Sequence, residues 1–383
     1  MLSIYIHIPF CLKKCSYCDF FSIPSNRDEI PWKEYLHAIF KEADRKIRSL
    51  NLKGAEICSI YFGGGTPSLM HPDFFKALIG GLDVVTDFSD DIEISCEVNP
   101  ATASRKWFDE IKKAGVNRVS IGVQSFDDSL LLNLGRAHSS DDAMNVIAEA
   151  KDAGFKNVSV DMMFGIPGQT IADLEEDLKT VMTFQPEHVS AYQLTLEENT
   201  PMEGDVGLGI LKMPDEDEQL KQMRIVARML DRVGWRRYEI SNYSKPGYEC
   251  IHNINYWHYG EYLGLGAGAT SFIREWDDDS FARRWTGVRN ISQYISDVSA
   301  VCESEEFDVD IAMSEFMFMG LRMTEGVSKR HFEDVFDEDI TEIYGSIIDE
   351  MREGGLLDED DEDVWLTPRG VELSNLIFEK FLS

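Results

Sequence analysis

IEISCEVNPATASRKWFDEIKKAGVNRVSI, residues 92–121, contains one whole folding unit. Residues 92–98 are β-rich, 103–114 carry apolar side chains at three- and four-residue spacing, and 116–121 are β-rich again. Ala114-Gly115 closes the helical stretch, and glycine there suits the left-handed turn that ends many helices. A strand, a helix and a second strand joined this way lie parallel, because the helix returns the chain to the edge where the first strand began. The same alternation runs outward in both directions. β-rich runs stand at 2–7, 57–62, 157–163 and 188–194, with helix-like stretches at 33–50, 72–85, 140–153 and 170–184. Strand-then-helix repetition predicts an α/β fold, a parallel sheet with helices outside. Pattern alone leaves open whether the sheet stays flat or curls into a barrel.

Beyond about residue 196 the text is less regular, with a helix near 215–233 and a Gly-rich segment at 260–268. From about 290 it reads as helical, Cys302 included, with further helices near 311–322, 328–335 and 340–353. Residues 354–357 and 364–367 flank an acidic turn as a hairpin, and a final helix is expected at 368–381. Helices closed by a hairpin predict a smaller, mainly helical, winged-helix-like C-terminal unit. The acidic runs WDDD (276–279) and DEDDED (358–363) read as solvated turns; calcium is the alternative, but the glycine and spacing of an EF-hand loop are missing.

A chain of 383 residues exceeds one usual domain, and a 43% hydrophobic content with 22 Phe and 15 Met suffices for a large core. The formal charge of −32 repels a phosphate backbone, so nucleic acid is not an expected partner. The apolar N-terminus lacks the basic leader of a secretory signal, and no apolar run reaches membrane-spanning length. A cytoplasmic, reducing setting is expected, where thiols stay free. An odd count of seven cysteines also argues against a disulfide framework. Cys58 and Cys96 lie in strand-like text as small hydrophobes, and Cys250 precedes an aromatic cluster.

Cys11, Cys15 and Cys18 differ, being packed into YIHIPFCLKKCSYCDF (5–20). Three thiolates at C-x3-C-x2-C can hold one face of an iron–sulfur cubane and leave one iron open. The alternative is structural zinc, which needs four ligands, with His7 available as the fourth or simply packed.

With its aromatic Tyr17 before the last cysteine, this motif resembles the signature of the radical S-adenosylmethionine (radical SAM) superfamily. Further motifs resemble its oxygen-independent coproporphyrinogen III oxidase-like branch, over nearly the whole chain. The resemblance implies a partial (β/α)6 barrel. It implies a 4Fe–4S cluster on Cys11, Cys15 and Cys18 whose open iron chelates the amino and carboxylate groups of S-adenosylmethionine. One electron then cleaves that ligand to methionine and a 5′-deoxyadenosyl radical. It also implies a radical SAM core at 1–235, a connecting segment at 236–290 and a C-terminal domain of the branch at 291–383.

Matched residue by residue, the S-adenosylmethionine ligands are Gly64, Gly65 and Thr66 of GGGTP (63–67), Glu97 of EVNP (97–100), Gln124, Arg136 and Asp161, with Tyr5 and Tyr17 beside them. Most follow a predicted strand, where α/β folds gather their sites. Bland readings exist for each: a tight turn for the glycines, a solvated strand end for Glu97, core packing for the tyrosines.

Two features depart from the true dehydrogenase of the branch. Phe20 stands where that enzyme has a further cysteine, and Cys11 leaves almost no N-terminal arm. HNINYW (252–257) instead resembles the H-N-x-x-Y-W motif of the branch's haem chaperones. His252 is the candidate haem ligand and His258 the alternative, imidazole being a usual axial ligand. GLGAGA (264–269) resembles a segment common to both groups. The resemblance thus implies a haem carrier for respiratory proteins, with a reduced electron donor and a haem-accepting protein as partners. The enzyme alternative is coproporphyrinogen III oxidation, and the third class is a zinc-stabilised binding module.

Overall fold

The computed structural model describes residues 2–274 and 280–382, so the 276–279 run lies outside the described residues. Six strands lie parallel and in sequence order: β1 (Leu2–Ile8), β2 (Glu56–Gly64), β3 (Asp87–Val98), β4 (Arg118–Gln124), β5 (Val158–Phe164) and β6 (His188–Gln193). Their connections and the stretch after β6 carry α1 (Trp32–Ser49), α2 (Pro72–Val85), α3 (Arg105–Lys113), α4 (Ser140–Asp152), α5 (Ile171–Phe184) and α6 (Glu216–Asp231). The helix α7 (Ile251–Trp257) then precedes β7 (Tyr262–Leu265), which joins β1 in parallel. Antiparallel strands β8 (Thr270–Ile273), β9 (Ala282–Gly287) and β10 (Val301–Phe307) continue that edge, while Asn242–Ser244 and Arg236–Arg237 extend the other beyond β6. The six β/α units therefore form one run of parallel strands within a longer sheet.

Side chains alternate along these strands. Ile94, Cys96 and Val98 of β3, Val119, Ile121 and Val123 of β4, and Val158, Val160 and Met162 of β5 belong to the main apolar core with residues of the outer helices. The intervening residues are polar: Glu93, Ser95 and Glu97 on β3, Arg118 and Ser120 on β4, Ser159 and Asp161 on β5, His188 and Ser190 on β6. Most parallel sheets are apolar on both faces. Here the inner face is polar and has to satisfy its own hydrogen bonds.

Toward the N-terminal ends of the strands, α7 does much of that. The Glu93 carboxylate accepts from the N–H groups of Ile251 (3.2 Å) and His252 (3.4 Å) and lies 3.9 Å from the buried Arg118 guanidinium. Ser59 of β2 bonds the His252 ring at 2.8 Å, and Ser159 of β5 bonds His188 at 2.9 Å. The HNINYW segment is thus fastened to the inside of the sheet.

A second network fixes α1 over GLGAGA. Glu42 and Lys46, buried one turn apart, pair at 2.8 Å. Glu42 accepts from Gly266 N–H (2.8 Å) and Tyr294 Oη (2.6 Å), and Lys46 donates to the Gly264 carbonyl (2.7 Å). Gly266, at φ +106, lets the loop reach β1, since a Cβ there would lie 2.6 Å from the His7 carbonyl oxygen.

The second apolar core gathers α8 (Val309–Gly320), α9 (Lys329–Phe336) and α10 (Ile340–Glu353) around Phe316, Phe332, Tyr344 and Phe381. Strands Leu357–Glu359 and Asp363–Leu366 form the expected hairpin over the acidic turn, and Val327–Ser328 makes it three-stranded. Two local expectations fail. Cys302 lies on β10, not a helix: after a short helix Ile291–Ser296, the acidic VCESEEF pairs with β9, setting Glu305 opposite Arg284 and Glu306 opposite Arg283. Cross-strand charge favours this edge strand where local propensity does not. The final helix is two, Pro368–Glu372 and Ser374–Phe381, which lets Ile377, Phe378 and Phe381 reach the second core.

Replacing Lys46 with Met would leave Glu42 buried without its cation. The expected loss is about 3–5 kcal/mol in urea unfolding, partly recovered when Glu42→Gln is added.

Candidate functional site

At the C-terminal ends of β2 to β6 the polar inner face opens into a cavity of 610 Å³. Its walls include Cys11, Cys15, Cys18, Tyr17, Gly64, Gly65, Thr66, Glu97, Gln124, Arg136 and Asp161. Residues chosen from separate strand ends in the sequence therefore face one space. Tyr5 and His252 are the two selected residues outside its lining.

The cysteine loop leaves β1 through Phe10–Cys11, which pairs in parallel with Ile23–Pro24 and so closes the loop at its base. Farther out, Ser16 N–H donates to the Leu134 carbonyl (3.2 Å) and the Ser16 carbonyl accepts from Met202 N–H (2.9 Å). Each thiol meets a defined environment. Thr66 Oγ1 donates to Cys11 Sγ and Arg136 Nη1 to Cys15 Sγ, both at 3.5 Å. Burial raises the Cys11 thiol and pushes Cys18 up to about 11.

His7 does not reach the thiols as a fourth donor. Its ring nitrogens bond the Tyr5 hydroxyl (3.1 Å) and the Phe21 carbonyl (2.8 Å), and burial lowers it to about 4. Among the described residues no three His, Cys, Asp or Glu side chains converge on a single-ion point. Three soft thiol donors facing a roomy cavity fit an iron–sulfur cluster.

Two carboxylates share the cavity with the thiols. Glu97 accepts from Tyr61 Oη (3.2 Å) and Gly64 N–H (3.1 Å). Burial first, and then the Asp161 carboxylate, raise it to about 7. Asp161 accepts from Ser120 Oγ at 2.9 and 3.1 Å and from Ser159 Oγ at 3.0 Å, yet burial still raises its pKa. Register explains the grouping: Glu97 pairs with Ser120, Gly122 with Asp161, and Asp161 with Ser190.

Arg136 stands between thiols and strands. Its Nη2 donates to the Gly122 carbonyl at 2.7 Å, while its buried Nε has no hydrogen-bond partner among the described residues. That orphaned donor fits an anionic group of a ligand. Gln124 adopts φ +70, an uncommon conformation for a residue with a Cβ.

Tyr5 stacks on Tyr61 with ring centroids 6.4 Å apart, one layer behind the cavity. His252 is buried, with Nδ1 on Ser59 (2.8 Å) and Nε2 on the Tyr256 hydroxyl (2.9 Å), so both ring nitrogens are engaged. Tyr61, Arg118, Ser120, Ser190 and Asn253 also line the cavity and were not selected from the sequence. Except for Asn253, on α7, all sit in the polar phase of a strand, and the two-residue alternation could have found them.

Family models match two parts of the chain: the Radical SAM superfamily over residues 5–181 and the HemN C-terminal domain over 308–373. The protein named heme chaperone HemW of Bacillus subtilis (strain 168) is 35% identical over 389 residues, spanning 100% of this chain and 99% of that one. Its namesake in Escherichia coli (strain K12) is 38% identical over 268 residues, 70% of this chain and 69% of that one. Radical S-adenosyl methionine domain-containing protein 1, mitochondrial, of Danio rerio is 32% identical, spanning 99% and 86%. Among solved structures, coproporphyrinogen III oxidase (HemN) from Escherichia coli matches with a TM-score of 0.82 at 21% identity, covering 100% of this chain and 90% of that one, a likeness of fold.

Gly64 has φ +105, and a Cβ there would overlap the His7 ring. Gly64→Ala is expected to lower stability by about 2–4 kcal/mol in thermal unfolding. Gly80→Ala, on the exposed side of α2 with open space around it, should raise it by about 0.5–1 kcal/mol.

Proposed function

This chain belongs to the radical SAM superfamily, in the family of the proteins named heme chaperone HemW, and on that footing we propose that it binds haem and delivers it to respiratory proteins, with a cluster and S-adenosylmethionine held in the 610 Å³ cavity. Membership of the superfamily implies both the 4Fe–4S cluster and S-adenosylmethionine. The assignment of ligands to them rests on one observation: Cys11, Cys15 and Cys18 share a cavity with Glu97, Arg136 and Asp161.

When bound, the cluster supplies a one-electron reductant and an iron with no protein ligand. Cys11, Cys15 and Cys18 would hold it as thiolates, so loading would release the protons that burial favours on Cys11 and Cys18. Arg136, already beside Cys15, offers its unpaired Nε to the ligand carboxylate. Glu97 accepts from the ligand's amino group and Asp161 from ribose hydroxyls. Two buried carboxylates in one pocket also favour a cationic ligand, and the sulfonium of S-adenosylmethionine supplies that charge. Gly64 and Gly65 present bare backbone, Thr66 steadies the Cys11 sulfur, and Tyr17 and Gln124 close the walls.

All seven cysteines are free, which suits the cytoplasm. No described helix is long and apolar enough to cross a membrane. The remaining partners are a reduced electron donor and a haem-accepting protein.

The anaerobically reconstituted protein should take up haem with a shifted Soret band and pass it to haem-depleted respiratory membranes. An unchanged Soret band, or conversion of coproporphyrinogen III to protoporphyrinogen, would overturn the carrier reading.

The Glu97 carboxyl gives a pH signature. Because folding raises its pKa to about 7, the acceptor form is mostly absent at pH 6 and present at pH 8. S-adenosylmethionine should bind about tenfold more tightly at pH 8 than at pH 6 by anaerobic calorimetry, and Glu97→Gln should lose that share of the pH dependence.

A further inference from the structure

Arg118, on β4, lines the cavity while remaining only 1% exposed. A guanidinium so buried is costly unless opposite charge and hydrogen bonds surround it. Its direct partners are few. Nε lies 3.9 Å from Glu93 Oε2, and Nη1 is 3.5 Å from Ser95 Oγ. Nε itself has no hydrogen-bond partner among the described residues. Glu93, meanwhile, is largely committed elsewhere. It accepts from Ser95 Oγ (3.1 Å) and Cys250 Sγ (3.5 Å) as well as from the two α7 N–H groups. One long contact to a shared carboxylate does not account for a cation at this depth.

Two more carboxylates lie within its field. Arg118 pairs across the strands with Ser95, and the next inward residue, Ser120, pairs with Glu97. Ser120 also donates to both oxygens of Asp161. Alternate residues on a strand are about 7 Å apart, a span that a long arginine side chain can cover. Accordingly the Arg118 charge lowers both Glu97 and Asp161 against the larger upward push of burial. Glu93, Glu97 and Asp161 thus share one buried guanidinium.

Other groups facing this cluster keep one charge state near neutrality. Burial pushes the hydroxyls of Tyr5, Tyr61, Tyr192, Tyr238 and Tyr256 above their ordinary value, the Cys96 thiol likewise, and Cys250 to about 12. His188 is pushed well below its usual value and His252 to about 3, by burial first and then by the Arg118 cation. Both imidazoles therefore stay neutral, which leaves Glu97, at about 7, and its neighbour Asp161 to respond to Arg118.

We infer that Arg118 is a positioning residue for the S-adenosylmethionine site: anchored on Glu93, it is the buried countercharge that lets Glu97 and Asp161 stand together as acceptors for the ligand. The role rests on the reading that the cavity takes S-adenosylmethionine, and it acts through the two carboxylates without contact to the ligand. Because Glu93 also holds the N–H groups of Ile251 and His252, the same anchor fixes α7, whose Asn253 reaches the cavity.

Anaerobic calorimetry of S-adenosylmethionine binding to the reconstituted full chain, run from pH 6 to pH 9, tests this role. Arg118→Gln alone would leave Glu93 buried without its cation and endanger folding, so Glu93→Gln/Arg118→Gln removes both charges of the pair. In that double variant the rise of affinity with pH should move upward by about one unit, since losing a nearby cation makes Glu97 harder to ionise. The ligand's own amino group titrates alike in both proteins, so the displacement belongs to the protein. Arg118→Lys, which keeps the charge, should keep the wild-type position. Circular dichroism and cluster absorbance verify that each variant is folded and loaded. An undisplaced profile in the double variant, weakened or not, or one displaced equally by lysine, would overturn the role. Wild-type protein that binds no S-adenosylmethionine at any pH would instead overturn the reading of the cavity itself.

Discussion

Parallel strands in register put every second side chain on the same face, and in this protein that constraint organises both the core and the site. The outward phase, Val119–Ile121–Val123 on β4 and its counterparts on β3 and β5, is apolar and buries against the helices. The inward phase is small or charged and stays polar to the strand ends, where Glu97 and Asp161 come within reach of one another's field. Slipping one strand by a single residue would exchange these faces, placing carboxylates against the helices and valines in the cavity. The buried Glu93–Arg118 contact and the hydrogen bonds from α7 resist such a slip, because each becomes an unpaired buried group if the register moves.

That frame explains why motifs far apart in the chain serve one purpose. GGGTP brings bare backbone beside His7 and Glu97. GLGAGA packs against β1 and the Glu42–Lys46 pair, and so holds the strand from which the cysteine loop departs. HNINYW fastens to the inner face through Glu93 and Ser59, and its far end emerges at the C-terminal unit. The cysteine loop, least regular of all, is held at its base by Ile23–Pro24 and farther out by Leu134 and Met202.

Much of this was legible in the sequence. The parallel strands were marked by strand–helix periodicity, and α2 spans 72–85 as read. The cavity residues Glu97, Arg136 and Asp161 were reachable by resemblance to a family, and Glu97 and Asp161 also by their position toward strand ends. The polar phase of the strands was equally visible, yet Ser120 and Ser190 pass as ordinary strand residues until register sets them beside Asp161. Other features depend on partners that local text does not reveal. Glu-rich β10 looks helical until the arginines of β9 are set opposite it. The HNINYW text marks His252 as a candidate ligand but does not reveal that Ser59 and Tyr256 engage its ring.

The central claim is that three thiolates hold a cluster whose remaining iron is open to S-adenosylmethionine. The most direct test is EPR of the anaerobically reconstituted, reduced protein with and without S-adenosylmethionine. A 4Fe–4S signal that shifts on adding the ligand, and is lost when Cys11, Cys15 and Cys18 are replaced by Ala, is the predicted result. A signal indifferent to S-adenosylmethionine, or one that survives loss of the three thiols, would contradict it.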